Sequence, residues 1–284
     1  MTTIRIASLN VNGINDHNKC QTIFKTLKSL NCEIIALQET HITKDKVEEV
    51  KKLWPYDSVW NPAISSSSCG TAILLGPRYD KTGFKTNDNG RIISVKANID
   101  GNSIQLTNIY APNDNQHREN FFDQVSNYMY NNTKHSILTG DFNMVEEPSL
   151  DRNPPPSNSS SYIKGIVNLN VLKGSYDLRD LWRIQNPRKR EFSWNTKEKN
   201  SNKASRIDRF YLSKNITKVN QIHIKIAQSD HCIVVTKISI PSKSPRGPGF
   251  WKLNKKVLED PIYIENMTDI LNNMEYDPLN PNMW

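Results

Sequence analysis

Short apolar runs of strand length punctuate this chain, and nearly every one stops at a polar residue. The sharpest is Ser136-Ile-Leu-Thr-Gly-Asp-Phe-Asn143, where Ile137 and Leu138 run into Gly140, then an acid, then an amide. Runs this short between turn residues suit buried strands, and the glycine marks a bend or a close backbone approach. The ending recurs. Residues 4–9 give way to Asn10, residues 33–37 to Gln38 and Glu39, and residues 104–109 to Tyr110. Strand-like pieces near 205–212, 222–226 and 232–238 bring in Asp208, Asp230 and His231. Strands that share sheets would gather these polar ends at one edge, where a rigid scaffold can hold them.

Helical stretches lie between the runs. Residues 16–30 put Ile23, Phe24, Leu27 and Leu30 on one face. Thr43 is expected to cap a helix reaching about Leu53, with acids early and lysines late. Residues 117–130 and 161–169 are expected to be helical, and 177–182 a helical turn. Asp100-Gly101 predicts a tight hairpin between two strands. At 284 residues and 36% hydrophobic, the chain suffices for one large domain or two small ones with a sizeable core. The texture changes at Pro241. Ser244-Pro-Arg-Gly-Pro-Gly249 reads as a linker, dividing a body of 1–241 from a tail of 242–284 with one weakly amphipathic helix near 255–271.

No apolar run approaches about 18 residues, so no membrane span is expected. The N-terminus lacks the basic-then-apolar signal-peptide pattern, which with four scattered cysteines predicts a reducing, intracellular setting. The formal net charge of +8 points to a polyanionic partner. Residues 183–206 concentrate it, with eight Lys/Arg against two Glu.

Chemistry begins with Asp141 and Asn143. A carboxylate can orient or deprotonate a water, and an amide two residues on can donate to a phosphate oxygen. Asp208, inside a strand, is costly to bury unpaired. Facing His231 it would satisfy both groups, fix the imidazole tautomer and raise its basicity.

Six motifs then occur in order: Ser8-Leu-Asn-Val-Asn-Gly13, Leu37-Gln-Glu-Thr-His41, Asn108-Ile-Tyr-Ala-Pro-Asn113, Gly140-Asp-Phe-Asn143, Ser205-Arg-Ile-Asp208 and Ser229-Asp-His231. Together they resemble the endonuclease/exonuclease/phosphatase superfamily, of DNase-I-like fold. The resemblance implies an α/β, four-layer sandwich: two mostly antiparallel sheets flanked by helices, with the site at one end. Within the superfamily the chain is most similar to the apurinic-like endonuclease of non-LTR (LINE-type) retrotransposon polyproteins. Leu150-Asp-Arg152 resembles that branch, and Gly247-Pro-Gly-Phe-Trp-Lys-Leu-Asn254 resembles its lead into a reverse transcriptase. No reverse transcriptase follows here, a departure from the pattern; in a full-length element it would be a partner in cis.

This resemblance implies a hydrolase nicking one strand of double-stranded DNA, monomeric and nuclear when it acts. Glu39 and Asn10 are assigned to a magnesium ion, with Asp230 a further or water-mediated ligand; hard oxygen donors admit manganese and disfavour zinc. Asp141, steered by Asn143, would activate water. His231, held by Asp208, would stabilise the phosphate, and Tyr110 would contact the phosphate or leaving oxygen. Which of Asp141 and His231 is the base stays open. Ser205, Arg206 and Arg152 would support the DNA backbone. Lys197, Lys199 and Lys203, on a hairpin between 191–194 and 205–210, would meet phosphates in a groove. The rivals are an abasic-site repair endonuclease, a lipid-type phosphodiesterase, for which no lipid motif is found, and an inactive DNA-binding module on the same scaffold.

Overall fold

Two six-stranded sheets form the body, built from elements that alternate along the chain. The computed structural model describes residues 2–131, 133–156, 165–196, 198, 201–216, 219–240 and 255–273. In order they are β1 (Thr2–Asn10), α1 (His17–Ser29), β2 (Ile34–Gln38), α2 (Val47–Lys51), β3 (Ser58–Asn61), β4 (Thr71–Leu75), β5 (Asp80–Thr86), β6 (Ile92–Ile99), β7 (Asn102–Tyr110), α3 (Asn115–Tyr128) and β8 (His135–Asp141). There follow α4 (Pro148–Asp151), β9 (Arg152–Asn153), α5 (Ile166–Ser175), β10 (Leu178–Arg179), α6 (Leu181–Gln185), β11 (Trp194–Asn195), β12 (Ala204–Ser205), β13 (Asp208–Ser213), β14 (Val219–Ile224), β15 (Ile233–Ile240) and, in the tail, α7 (Pro261–Asn272).

The first sheet runs β14-β15-β1-β2-β4-β3 and the second β10-β13-β8-β7-β6-β5. Each is antiparallel except for one parallel pair, β1 with β2 and β7 with β8. Those two parallel pairs bring consecutive strand ends to one edge. Asn10 lies opposite Gln38, the residue before Glu39. Tyr110 lies opposite Asp141, and Asp141 opposite Asp208.

Three apolar clusters make the layers. Ile4, Ile6, Ile34 and Ile73 meet Val95, Leu106, Ile137 and Phe210 between the sheets. Ile23, Phe24 and Leu27 of α1 cover the outer face of the first sheet at Leu9, Ile35 and Leu37. Phe121, Phe122 and Val125 of α3, with Leu169 of α5, cover the second at Ile109, Leu138 and Tyr211. The architecture is thus the helix–sheet–sheet–helix sandwich that the motifs imply. One polar layer crosses it: buried Gln38 donates to Ser8 Oγ (3.0 Å) and Asn108 Oδ1 (2.6 Å), and Asn108 Nδ2 donates back to Leu37 O (2.8 Å). A slipped sheet would orphan these groups, so they fix how the two sheets align.

Some local expectations change. Thr43 opens a single 3-10 turn without a side-chain cap, and the helix after it stops at Lys51. Trp54 anchors to Leu75 O (2.8 Å) and precedes Pro55, which disfavours helix there. Residues 177–182 are not one helical turn. Leu178 and Arg179 pair with β13, and Asp180 starts α6 by accepting from Arg183 N (2.9 Å). The helix expected over 161–169 is α5, which runs from Ile166 to Ser175; residues 161–164 lie outside the described residues. The hairpin at Asp100-Gly101 is present, both residues at positive φ as a type I′ turn demands.

The chain divides into two compact units, Met1–Lys243 and Ser244–Trp284. In the second, Asp260 caps α7 by accepting from Ile262 N (2.9 Å), with Pro261 in its first turn. The expected linker, 244–249, lies outside the described residues.

Candidate active site

Gly140 decides where β8 can deliver Asp141. Its φ is +130°, and a Cβ there would lie 2.0 Å from Ile109 O, so only glycine lets β8 lie this close to β7. Asp141 emerges buried beneath the sheet edge. Its Oδ2 accepts from Asn10 Nδ2 (2.9 Å) and its Oδ1 from Asn143 N (2.9 Å). Asn143, at φ 48°, turns its own amide to Ala111 O (2.8 Å). Asn10 accepts at Oδ1 from Asn12 N (2.9 Å), which leaves that oxygen one lone pair.

Across the site, His231 Nδ1 bonds Asp208 Oδ2 (2.9 Å), and His231 Nε2 stands 3.9 Å from Asp141 Oδ2. Asp208 is fixed in turn through its N–H on Ser193 Oγ (2.9 Å). Ser229 ties this corner to the first sheet: its Oγ donates to Asn10 O (2.7 Å) and accepts from His231 N (3.1 Å). Asp230, between them, accepts from Asn12 Nδ2 (3.1 Å) and Trp194 Nε1 (2.9 Å). Glu39 sits half-buried at φ 51°, a left-handed conformation unusual for glutamate, beside the Tyr110 hydroxyl. The Arg91 guanidinium lies 4.7 Å from the Tyr110 ring centre.

Burial and charge separate the protonation of these groups. Burial, reinforced by the like charge of Asp208, pushes the Asp141 carboxyl up to about 7. Burial alone would lower His231, but the charge and hydrogen bond of Asp208 outweigh it and raise the imidazole to about 10. Burial likewise works to raise Asp230, yet the Trp194 hydrogen bond and the His231 charge hold it below the usual range. Burial, with Glu39 beside it, keeps the Tyr110 phenol protonated. The geometry is a buried carboxylate poised near neutrality beside an imidazolium, a pairing suited to proton transfer and to anion stabilisation.

Both groups open onto a cleft of about 420 Å³ that Glu39, Asn143, Asp230 and Arg152 also line. Its outer wall is a third sheet, β11-β12-β9, of two-residue strands carrying Trp194, Ser205 and Arg152. Asp141, Asp208 and His231 offer ligand atoms within 4.8 Å of one another and could hold a metal ion. The Asp208–His231 hydrogen bond occupies Asp208 Oδ2 and His231 Nδ1 in that cluster and leaves Asp208 Oδ1 without a hydrogen-bond partner. Glu39 and Asp230 line the cleft and offer hard carboxylate oxygens as an alternative, while Asn10 lies buried behind them, 1% exposed. Both Asp230 oxygens are engaged, which favours a water-mediated contact over direct ligation.

The structure thus brings Asn10, Glu39, Tyr110, Asp141, Asn143, Asp208, Asp230 and His231 to one edge. Arg152 and Ser205 line the same cleft, Arg152 exposed and Ser205 buried. Arg206 does not belong with them. Its side chain is 1% exposed, hydrogen-bonded to Asp151 Oδ1 (2.8 Å), ion-paired with Asp180 Oδ2 (2.8 Å) and packed over Trp182, so it is spent on holding the fold and cannot meet DNA. Lys203 is exposed at the base of a hairpin closed by Thr196 N on Lys203 O (3.0 Å); Lys197 and Lys199 lie outside the described residues. Asn12, Asn113, Ser193, Trp194 and Ser229 are additions. Asn12, Asn113 and Ser229 stood inside recognised motifs, but Asn12 and Ser229 bond Asp230 and Asn10 more than 200 residues away, and only the fold reveals these pairings.

Three likenesses accompany this geometry. The chain is 28% identical over 272 residues to a transposon TX1 uncharacterized 149 kDa protein of Xenopus laevis, a match covering 94% of this chain and 20% of that protein. It therefore spans about a fifth of that relative. The fold is similar to the APE2 catalytic domain of Xenopus laevis (TM-score 0.67, 20% identity, covering 86% of this chain and 95% of that one). It is also similar to an AP endonuclease of Archaeoglobus fulgidus (TM-score 0.64, 20% identity, 82% and 98%). Residues 7–231 match the model of the Endonuclease/Exonuclease/phosphatase family, most of the chain and every polar strand end described above, and the chain belongs to that family.

Proposed function

We propose that the chain is a divalent-metal-dependent endonuclease that nicks one strand of duplex DNA by phosphodiester hydrolysis, in the service of a retrotransposing element. The observation that carries this reading is the pairing across the cleft: an imidazolium backed by one buried carboxylate and facing a second whose pKa lies near neutrality.

Asp141, oriented by Asn10 and the Asn143 N–H, takes a proton from the attacking water. His231, kept charged by Asp208, donates from Nε2 to a phosphate oxygen as negative charge builds. The Tyr110 hydroxyl, beside Glu39, would turn its single proton to the phosphate or the leaving oxygen. Glu39 and Asn10 would hold magnesium or manganese, with Asp230 acting through water. A bound ion would neutralise the phosphate and the departing oxygen. Arg152, Ser205 and the hairpin lysines Lys197, Lys199 and Lys203 lie along the sequence stretch proposed to meet the DNA backbone. The retrotransposon assignment rests on the likeness to the transposon protein, which extends over nearly the whole chain including the tail. In a full-length element a reverse transcriptase would follow in cis. Among the described residues no helix is long and apolar enough to cross a membrane.

Supercoiled plasmid tests the reading. Magnesium should yield relaxed circles, EDTA should abolish them, and Glu39→Ala should lose most nicking while melting as wild type. Full activity in EDTA would overturn the metal requirement.

The likeness to AP endonucleases favours one second reading, hydrolysis beside an abasic nucleotide, with Trp194 and Ile207 as an apolar wall. Rates on matched intact and abasic duplexes separate the two. A preference of tenfold or more for the abasic strand would select repair.

A further inference from the structure

Beside the catalytic cleft lies a second cavity of about 500 Å³, and Asn113 lines both. Its floor is one face of α3. His117, Asn120, Phe121 and Gln124 follow the i, i+3, i+4, i+7 spacing of a single helical stripe, and all four line the cavity. Facing them are Arg91 and Pro112.

The walls are fixed before anything binds. Buried Arg118 donates to Pro112 O (3.2 Å) and Asn113 O (2.7 Å), which pins the shared wall. Asn87 Oδ1 accepts from Arg91 N (3.0 Å) and Ile92 N (2.9 Å), which pins the opposite loop. Arg91 donates to Tyr110 O (3.2 Å) and rests on the Tyr110 ring, and among the described residues no carboxylate pairs with it. Asp114, the one acid in the lining, is already taken by Gln116 N (3.0 Å) and His117 Nδ1 (2.5 Å). The lining therefore offers an arginine, the half-buried Pro112 ring and a row of amides.

We infer that this cavity is a subsite for the nucleotide flanking the scissile phosphate, and that Asn120 and Gln124 read its base; the inference rests on the nuclease reading above. A strand leaving the cleft on the Asn113 side runs into the cavity. Its volume is in the range of small-molecule and cofactor sites, roughly 300–1,000 Å³. Arg91 meets the phosphate, the Pro112 ring takes the base plane, and an amide presents the donor and acceptor that match adenine N7 and N6. The substrate class is duplex or locally opened DNA with adenine at one fixed position beside the nick.

The test uses Asn120→Ala/Gln124→Ala, two exposed residues outside the catalytic machinery. Nicks are mapped on one plasmid, and binding of four short single-stranded oligonucleotides that differ at one base is measured in EDTA. Wild type should favour adenine at one position from the nick and bind the adenine oligonucleotide about tenfold more tightly than the others. The variant should lose both preferences while its total nicking rate stays within twofold. Arg91→Lys should weaken all four oligonucleotides alike. An unchanged nick map together with unchanged binding discrimination would overturn the subsite. Absence of nicking by wild type with base-discriminating binding intact would sink the nuclease reading and leave the subsite standing.

Discussion

In the proposed mechanism, His231 and Asp141 serve one transition state, and each depends on the other's charge. His231 is buried yet stays protonated because Asp208 sits on Nδ1 and Asp141 lies 3.9 Å beyond Nε2. Replacing either group removes a proton carrier and also changes the charge around its partner. Asp141→Ala and His231→Ala should each slow nicking about a hundredfold or more, as general acid/base and oxyanion groups do. The double variant should be little slower than the worse single one, because groups that work as a unit are not additive. Initial rates on plasmid for the four proteins decide it, and wild-type rates in either single variant would misplace the site. At this scale the sequence was legible wherever a residue's role followed from its place at a strand end. Asp208 and His231 announced each other because a carboxylate in a strand needs a partner. Arg206 did not announce its role. It sits in a basic stretch that reads as a DNA contact, while the acid that claims it, Asp151, is 55 residues away.

The third sheet shows how much two-residue strands can matter. β9 and β12 pair at only two positions, yet they carry Arg152 and Ser205 into the cleft. Asp151 and Arg206 hold them there, through Arg206 N on Asp151 O (2.8 Å), the carboxylate–guanidinium bonds, and Arg183 on the same acid. Strands this short carry no periodicity, so the sequence could not show them, although it did mark the hairpin that joins β11 to β12. Removing one member of a buried pair leaves the other unpaired, so Asp151→Ala should cost about 3–5 kcal/mol at neutral pH in urea unfolding. The pH dependence has a definite sign. Burial works to raise the Asp151 pKa, but the hydrogen bonds and charge of Arg206 prevail and hold it below the ordinary carboxylate value. Its stabilisation is therefore complete above about pH 4, the unfolded value, and fades as pH falls through the lower folded value. The gap between wild type and variant should narrow at pH 3; a constant gap would place the effect in packing alone. The hairpin tip asks a separate question. Replacing residues 196–203 with a Gly-Ser turn should keep metal-dependent cleavage and redistribute nick sites, with a salt dependence flatter by up to about one slope unit per lost phosphate contact. An unchanged nick map would reduce the tip to a connector.

At the scale of the whole chain, the two units differ in kind. Met1–Lys243 contains all three apolar clusters, both sheets and every residue assigned to the site. Within Ser244–Trp284 the described part is a 3-10 turn and α7, whose Ile262, Ile264, Ile270 and Leu271 are all exposed. Among the described residues of this unit only the 3-10 turn stands beside α7, and isolated helices of this length are marginal in water. The larger unit should therefore carry its stability and its chemistry by itself. A chain ending at Lys243 should be expressed in folded form, melt within about two degrees of the full chain, and nick plasmid at an undiminished rate. The family match points the same way, since it closes at residue 231, before the tail begins. The likeness to the transposon protein covers 94% of this chain and so reaches into the tail as well. Two outcomes would count against this division of labour. A truncated chain that fails to fold would mean that the tail packs on the sandwich. A truncated chain that folds but nicks slowly, with DNA affinity reduced in proportion, would make the tail part of the substrate-binding surface.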